Sequence, residues 1–125
     1  MSFFDKIFGG KEEQPEQQYI WNKITSEEDL KKAVEQSYSN KIAIFKHSTS
    51  CFISKTVLKN FEKEIENINQ KADLYYLDLL AHRLLSNKIA EDFGVTHQSP
   101  QLIVIENGKA VNNASHQDIS ISLLA

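Results

Sequence analysis

Residues 42–64 read IAIFKHSTSCFISKTVLKNFEKE. Ile42, Ala43, Ile44 and Phe45 form an unbroken apolar run, the pattern of a strand covered on both faces. After Cys51, residues Val57, Leu58, Phe61, Ile65 and Ile68 recur at helical spacing with charges between them, which predicts a helix over about 51–69. The polar stretch Ser48-Thr49-Ser50-Cys51 joins the two. A buried strand that runs through so short a loop into an amphipathic helix is half of a βαβ unit, and it sets the class of the fold.

The rest of the chain repeats the alternation. Downstream, ADLYYL (72–77) predicts a strand, in which one of Tyr75 and Tyr76 faces the core. Leu84, Leu85, Ile89, Ala90 and Phe93 predict a helix that stops at Gly94. Leu102-Ile103-Val104-Ile105, the turn Asn107-Gly108 and Ala110-Val111 read as a β-hairpin. Ser115 is a candidate cap for a last helix carrying Ile119, Ile121, Leu123 and Leu124. Upstream, Tyr19-Ile20-Trp21 is a short strand, and Thr25 with Glu28 three residues on forms a capping-box pattern. That pattern opens a helix over about 26–38 with Leu30, Ala33, Val34 and Tyr38 on one stripe. The order βαβαβαββα predicts a three-layer α/β/α sandwich around a central mixed sheet.

Residues 19–125 are read as this one domain. The first eighteen residues differ from it: Phe3, Phe4, Ile7 and Phe8 fall at helical spacing before Gly9-Gly10, and KEEQPEQQ follows as a polar, proline-broken linker. Seven residues bury too little area for firm docking on a membrane. The chain has 125 residues, a net charge of −3 and dispersed Lys and Arg, which argues against a nucleic-acid partner. No apolar run reaches the roughly 20 residues of a membrane span. MSFFDKIFGG lacks the basic start and apolar core of a secretory leader, and one cysteine suits a reducing cytoplasm.

The chemistry points to one loop. In sheets of this kind, reactive groups gather beyond the carboxyl ends of the strands, where Ser48–Cys51 leaves the most apolar strand. A cysteine at a helix start meets unpaired N–H groups and the positive end of the macrodipole, which favour its thiolate. Ser54 takes the place of a resolving cysteine; its hydroxyl can donate to the thiolate but forms no disulfide. Fifty residues on, His97-Gln98-Ser99-Pro100 enters the strand QLIVI. A cis peptide there would bring the backbone beside the cysteine and offer N–H and C=O groups to an extended substrate, although the sequence leaves the isomer open.

Lys46 and His47 are candidates for lowering the thiol pKa or attracting an anionic small thiol, such as one bearing a malate carboxylate. Lys55 and Lys59 fit a solvated helix face. His82, His97 and His116 are scattered, without the spacing of a metal site.

These features together resemble the thioredoxin superfamily across residues 19–125. IFKHSTSCFIS with SPQLIVIENGK resembles, more narrowly, the YtxJ family of monothiol bacilliredoxins. The resemblance implies a thioredoxin-like domain with Cys51 as nucleophile, Ser54 in place of the resolving cysteine and Pro100 as a cis-proline. Ser50, Phe52, Ser99 and Pro100 become the expected substrate-binding positions, with Phe52 where many relatives carry proline. It further implies a cytoplasmic bacterial thiol-disulfide oxidoreductase that uses bacillithiol as co-substrate and holds no bound cofactor. Its partners would be client proteins capped by mixed disulfides, with a small thiol or an external reductase for recycling. The residues leave two alternatives: a non-catalytic thioredoxin-like binding module, and an iron–sulfur cluster carrier of the monothiol glutaredoxin type. A peroxidase fits less well, since the only arginine, Arg83, lies in another element.

Overall fold

The computed structural model describes residues 21–48, 52–66 and 72–124. The N-terminal segment, Tyr19, Ile20, Ser50, Cys51 and Ile68 lie outside the described residues. The elements are β1 (Asn22–Lys23), α1 (Glu27–Gln36), β2 (Ile42–His47), α2 (Phe52–Glu66), β3 (Asp73–Asp78), α3 (Arg83–Phe93), β4 (Gln101–Glu106) and β5 (Lys109–Ser115). They form a five-stranded sheet in the order β1-β3-β2-β4-β5. β1, β3 and β2 run parallel, whereas β4 is antiparallel to β2, and β5 to β4. This is a thioredoxin-like mixed sheet with helices on both faces.

The central strand β2 is buried along its whole length, which explains its continuous apolar run. Ile42 and Ile44 pack with Leu30, Ala33, Leu85 and Ile89 on the α1/α3 face, while Ala43 and Phe45 pack with Val57, Phe61 and Ile65 of α2. Side chains alternate along a strand, so Lys46 continues the first set and His47 the second.

Three local details differ from the sequence expectation. The cap of α1 is Ser26, one residue later than Thr25. Its Oγ accepts from the Asp29 N–H (3.1 Å), and the Asp29 carboxylate accepts from the Thr25 N–H (3.0 Å) and hydroxyl (2.9 Å). The first strand comprises Asn22–Lys23, with Trp21 just before it packed edge-on against Phe45 and Tyr76. After β5, two 3-10 turns, His116–Asp118 and Ile121–Leu124, replace the expected closing α-helix. Ile119, Ile121 and Leu123 repeat every two residues, which cannot form one α-helical stripe. Ile119 and Leu124 are buried in the α2-side core, with Ile121 and Leu123 packed against it.

The hairpin follows its turn chemistry. Asn107 (φ 55°) and Gly108 (φ 76°) take the positive-φ pair that a two-residue primed turn needs. Ser37 at the end of α1 holds the turn, its carbonyl accepting from Asn107 N–H and its Oγ from Gly108 N–H, both at 2.9 Å. A side chain at Gly108 would also strike the Tyr38 hydroxyl.

Candidate active site

The carboxyl end of β2 gathers the elements that sequence reading linked. Lys46 pairs with Leu77 of β3 and with Gln101 of β4, so the start of β4 lies at the end of β2. The peptide bond between Ser99 and Pro100 is cis, and it sits at the entry to β4. Pro100 is buried, and its carbonyl accepts from the His116 N–H (2.9 Å). The Leu79 N–H donates to the His47 carbonyl (3.0 Å), which ties the end of β3 to the same edge.

On the α2 side, Ser54 is fully buried. Its Oγ accepts from the Ser48 N–H (3.1 Å) and lies 2.7 Å from His47 Nδ1. A hydroxyl has one proton and two lone pairs. If His47 carries its proton on Nδ1, Ser54 accepts from both neighbours and keeps its own proton for another acceptor. In the other tautomer that proton goes to His47. The availability of the Ser54 proton is therefore set by His47, a coupling the sequence did not reveal. Burial holds the His47 pKa below the ordinary histidine value; Asp78 opposes the shift and Lys55 adds to it. His47 is therefore predominantly neutral at pH 7.

On the α3 side, Lys46 is fully buried. Its Nζ donates to the Ser86 carbonyl (3.0 Å) and lies 3.3 Å from His97 Nδ1. Desolvation lowers its pKa to about 8. The sequence reading grouped Lys46 with His47; the structure puts their side chains on opposite faces of the sheet. Gln101, also buried, donates to the Thr96 carbonyl (2.8 Å) and accepts from the Gln98 N–H (3.4 Å), fastening the segment that leads to Pro100. Sequence reasoning passed over Ser86 and Gln101, and considered His97 only as one of three scattered histidines. Only His97 carried a usable signal, two residues before the Ser-Pro pair.

The start of α2 presents apolar side chains to solvent: Phe52 is 79% exposed, and Ile53 beside it is exposed as well. The first turn of α2 contains no acidic residue. Ser99 Oγ is buried without a hydrogen-bond partner among the described residues. Cys51 itself and Ser50, both expected site residues, lie outside the described residues; chain connectivity puts Cys51 immediately before Phe52. Among the described residues no group of His, Cys, Asp and Glu could hold a metal ion, and no helix is long and apolar enough to cross a membrane.

Comparison with known proteins agrees with this geometry. A solved structure described provisionally as an oxidoreductase with a thioredoxin fold is 32% identical, with a TM-score of 0.76 over 89% of this chain and 96% of its own. The thioredoxin of Schistosoma mansoni is 19% identical (TM-score 0.62; 78% of this chain and 83% of that one), and that of Fasciola hepatica 18% (0.62; 76% and 86%). These two share the fold. Residues 22–124 match the family described as Monothiol bacilliredoxin BrxC. With the thioredoxin-like sheet, the Ser99–Pro100 bend and a serine one helical turn after the single cysteine, the chain belongs to the monothiol bacilliredoxin BrxC family of thioredoxin-fold oxidoreductases.

Proposed function

We propose that this protein removes bacillithiol caps from protein cysteines by thiol-disulfide exchange at Cys51. One observation carries the reading: the chain has a single cysteine, and the residue one helical turn on is a buried serine whose hydroxyl is bonded to Ser48 and His47. No second thiol is present to close an intramolecular disulfide, so exchange must pass through a mixed disulfide.

In the forward step, the Cys51 thiolate attacks the small thiol's sulfur in a client–S–S–R disulfide. The S–S bond between the client's sulfur and the small thiol's sulfur breaks, a Cys51–S–S–R disulfide forms, and the client cysteine leaves as a thiolate that takes a proton from water. A second small-thiol thiolate, or a reductase, then attacks the R sulfur and releases Cys51. The helix start and its lack of acidic residues favour the thiolate. The exposed Phe52 offers an apolar surface for the client, and the Ser99–Pro100 edge offers backbone groups to its extended chain.

Intact mass after exposure to oxidised bacillithiol, glutathione and coenzyme A tests the reading. One bacillithiol adduct on Cys51 is expected, together with loss of cap removal in Cys51→Ser. Wild-type cap removal by Cys51→Ser would refute it.

A further inference from the structure

Ser54 spends its hydroxyl outside its own helix. A serine or threonine inside a helix often bonds back to a carbonyl one turn earlier, as Thr56 does to the Phe52 carbonyl (3.1 Å). The Ser54 hydroxyl instead crosses to β2, 3.1 Å from the Ser48 nitrogen and 2.7 Å from His47 Nδ1. Ser54 and His47 are both buried.

The surroundings of His47 keep it a base. It is faced by the Phe45 ring of its own strand, by Tyr76 and Asp78 of β3, and by Lys55 of α2. Burial lowers its pKa, Asp78 opposes this and Lys55 adds to it, so the ring is free to take a proton at pH 7. The Ser48 N–H fills one lone pair of Ser54 Oγ. When the Oγ proton is shared with Nδ1, the second lone pair is open to another donor. Cys51 precedes α2 and Ser54 is the third residue of that helix. These are the two positions that reach each other across the first turn in a capping box.

Resting on the thiol-exchange reading, we propose that His47 takes the proton of the Cys51 thiol through the Ser54 hydroxyl. The Cys51 S–H donates to Oγ while the Oγ proton passes to Nδ1. The S–H bond and the original O–H bond break, and a new O–H bond and an N–H bond form. A thiol and an imidazole become a thiolate and an imidazolium with no change of net charge, and Ser54 then donates to the thiolate. The Ser48 N–H holds Oγ in place throughout. Once Cys51 has captured a cap, the imidazolium releases its proton to solvent. Ser54 touches the reacting thiol, and His47 acts through it.

Alkylation of the reduced full-length protein by neutral iodoacetamide tests the relay without a capped client. The wild-type rate should climb with pH in a limb that ends below 6.5, where His47 loses its proton, and the His47 imidazole signals followed by NMR should titrate at the same pH. His47→Asn keeps a hydrogen-bonding group for Ser54 and removes the base. It should lose the limb and react on the order of ten-fold more slowly at pH 7, a modest loss because iodoacetamide also reacts with thiolate formed without the base. Ser54→Ala should lose the limb too, and the double variant should be no slower than either single one.

A limb that survives in His47→Asn or Ser54→Ala, or independent losses that multiply in the double variant, overturns the proposal. A wild-type limb that does not coincide with the NMR titration overturns it as well, and that comparison needs no variant to fold. A wild-type protein that shows the limb and the coincidence but removes no bacillithiol cap upholds the relay and overturns the thiol-exchange reading. One that removes the cap without the limb overturns the relay alone.

Discussion

Lys46 and His47 are adjacent in the chain and occupy opposite sides of the sheet, each ending in a different kind of polar cluster. On the α2 side, His47, Ser54 and the Ser48 N–H form a compact network whose donors and acceptors match one another. On the α3 side, Lys46 donates to the Ser86 carbonyl and lies 3.3 Å from His97 Nδ1, with no acid bonded to it among the described residues. The first cluster is electrically balanced and ties a helix to a strand. The second carries a buried charge, which costs stability. One residue of strand register separates a matched polar network from an unmatched charge.

The largest effect should come from Lys46. In Lys46→Met the apolar stem is kept and the buried charge is removed, so the protein should become about 1–3 kcal/mol more stable at pH 7, as replacement of buried charges often does. Lys46→Ala should instead lose about 2–3 kcal/mol relative to Lys46→Met, because a cavity remains. The folded pKa of about 8 lies below the 10.5 of a free lysine. Between these values the unfolded state binds more protons, so wild-type stability should rise with pH across about 8 to 10.5, and this slope should vanish in Lys46→Met. Urea unfolding at pH 7 and pH 9.5 reads both effects. A wild type much more stable than Lys46→Met at pH 7 would mean that Lys46 is balanced by an acid and that the contrast between the faces is false.

On the balanced face, Ser54→Ala should cost about 1–3 kcal/mol by leaving buried polar groups short of a partner. It should also slow cap removal less than Cys51→Ser does. His47 supplies a pH test of the same network. Its folded pKa lies below 6.5, so the unfolded state takes up the proton first, and stability falls as pH drops through about 6.5 until the folded histidine is protonated too. His47→Phe should lack that part of the acid slope in chemical denaturation. The smallest effect belongs to a position remote from both clusters: Ser26→Ala should cost about 1 kcal/mol through the α1 cap and leave exchange kinetics unchanged. A kinetic change there would show that the site responds to general destabilisation.

Much of the fold was legible because its periodicities are strong. The unbroken run 42–45, the α2 stripe Val57-Phe61-Ile65, Gly94 and Asn107-Gly108 each impose a local geometry that the structure realises. The closing segment misled because serine and spaced aliphatic residues suit an α-helix start as well as a strand-like run of turns; packing of Ile119 and Leu124 against the α2-side core decided it. At the site, the replacement of a resolving cysteine by Ser54 was readable, since it depends on residue type and a spacing of three. The hydrogen bonds of Ser54 were not, because one of them involves His47 on β2, whose side chain reaches Ser54 only once the strand's pleat has sent it to the α2 face.

The sequence alone therefore determined the alternation of elements, the single thiol and its place before a helix, since these follow from composition and short-range spacing. Tertiary structure alone decided that Lys46 is buried and that its ammonium meets His97, 51 residues away. The physical reason is that strand pleating sends neighbouring side chains to opposite faces, and what each then meets is supplied by elements remote in the chain.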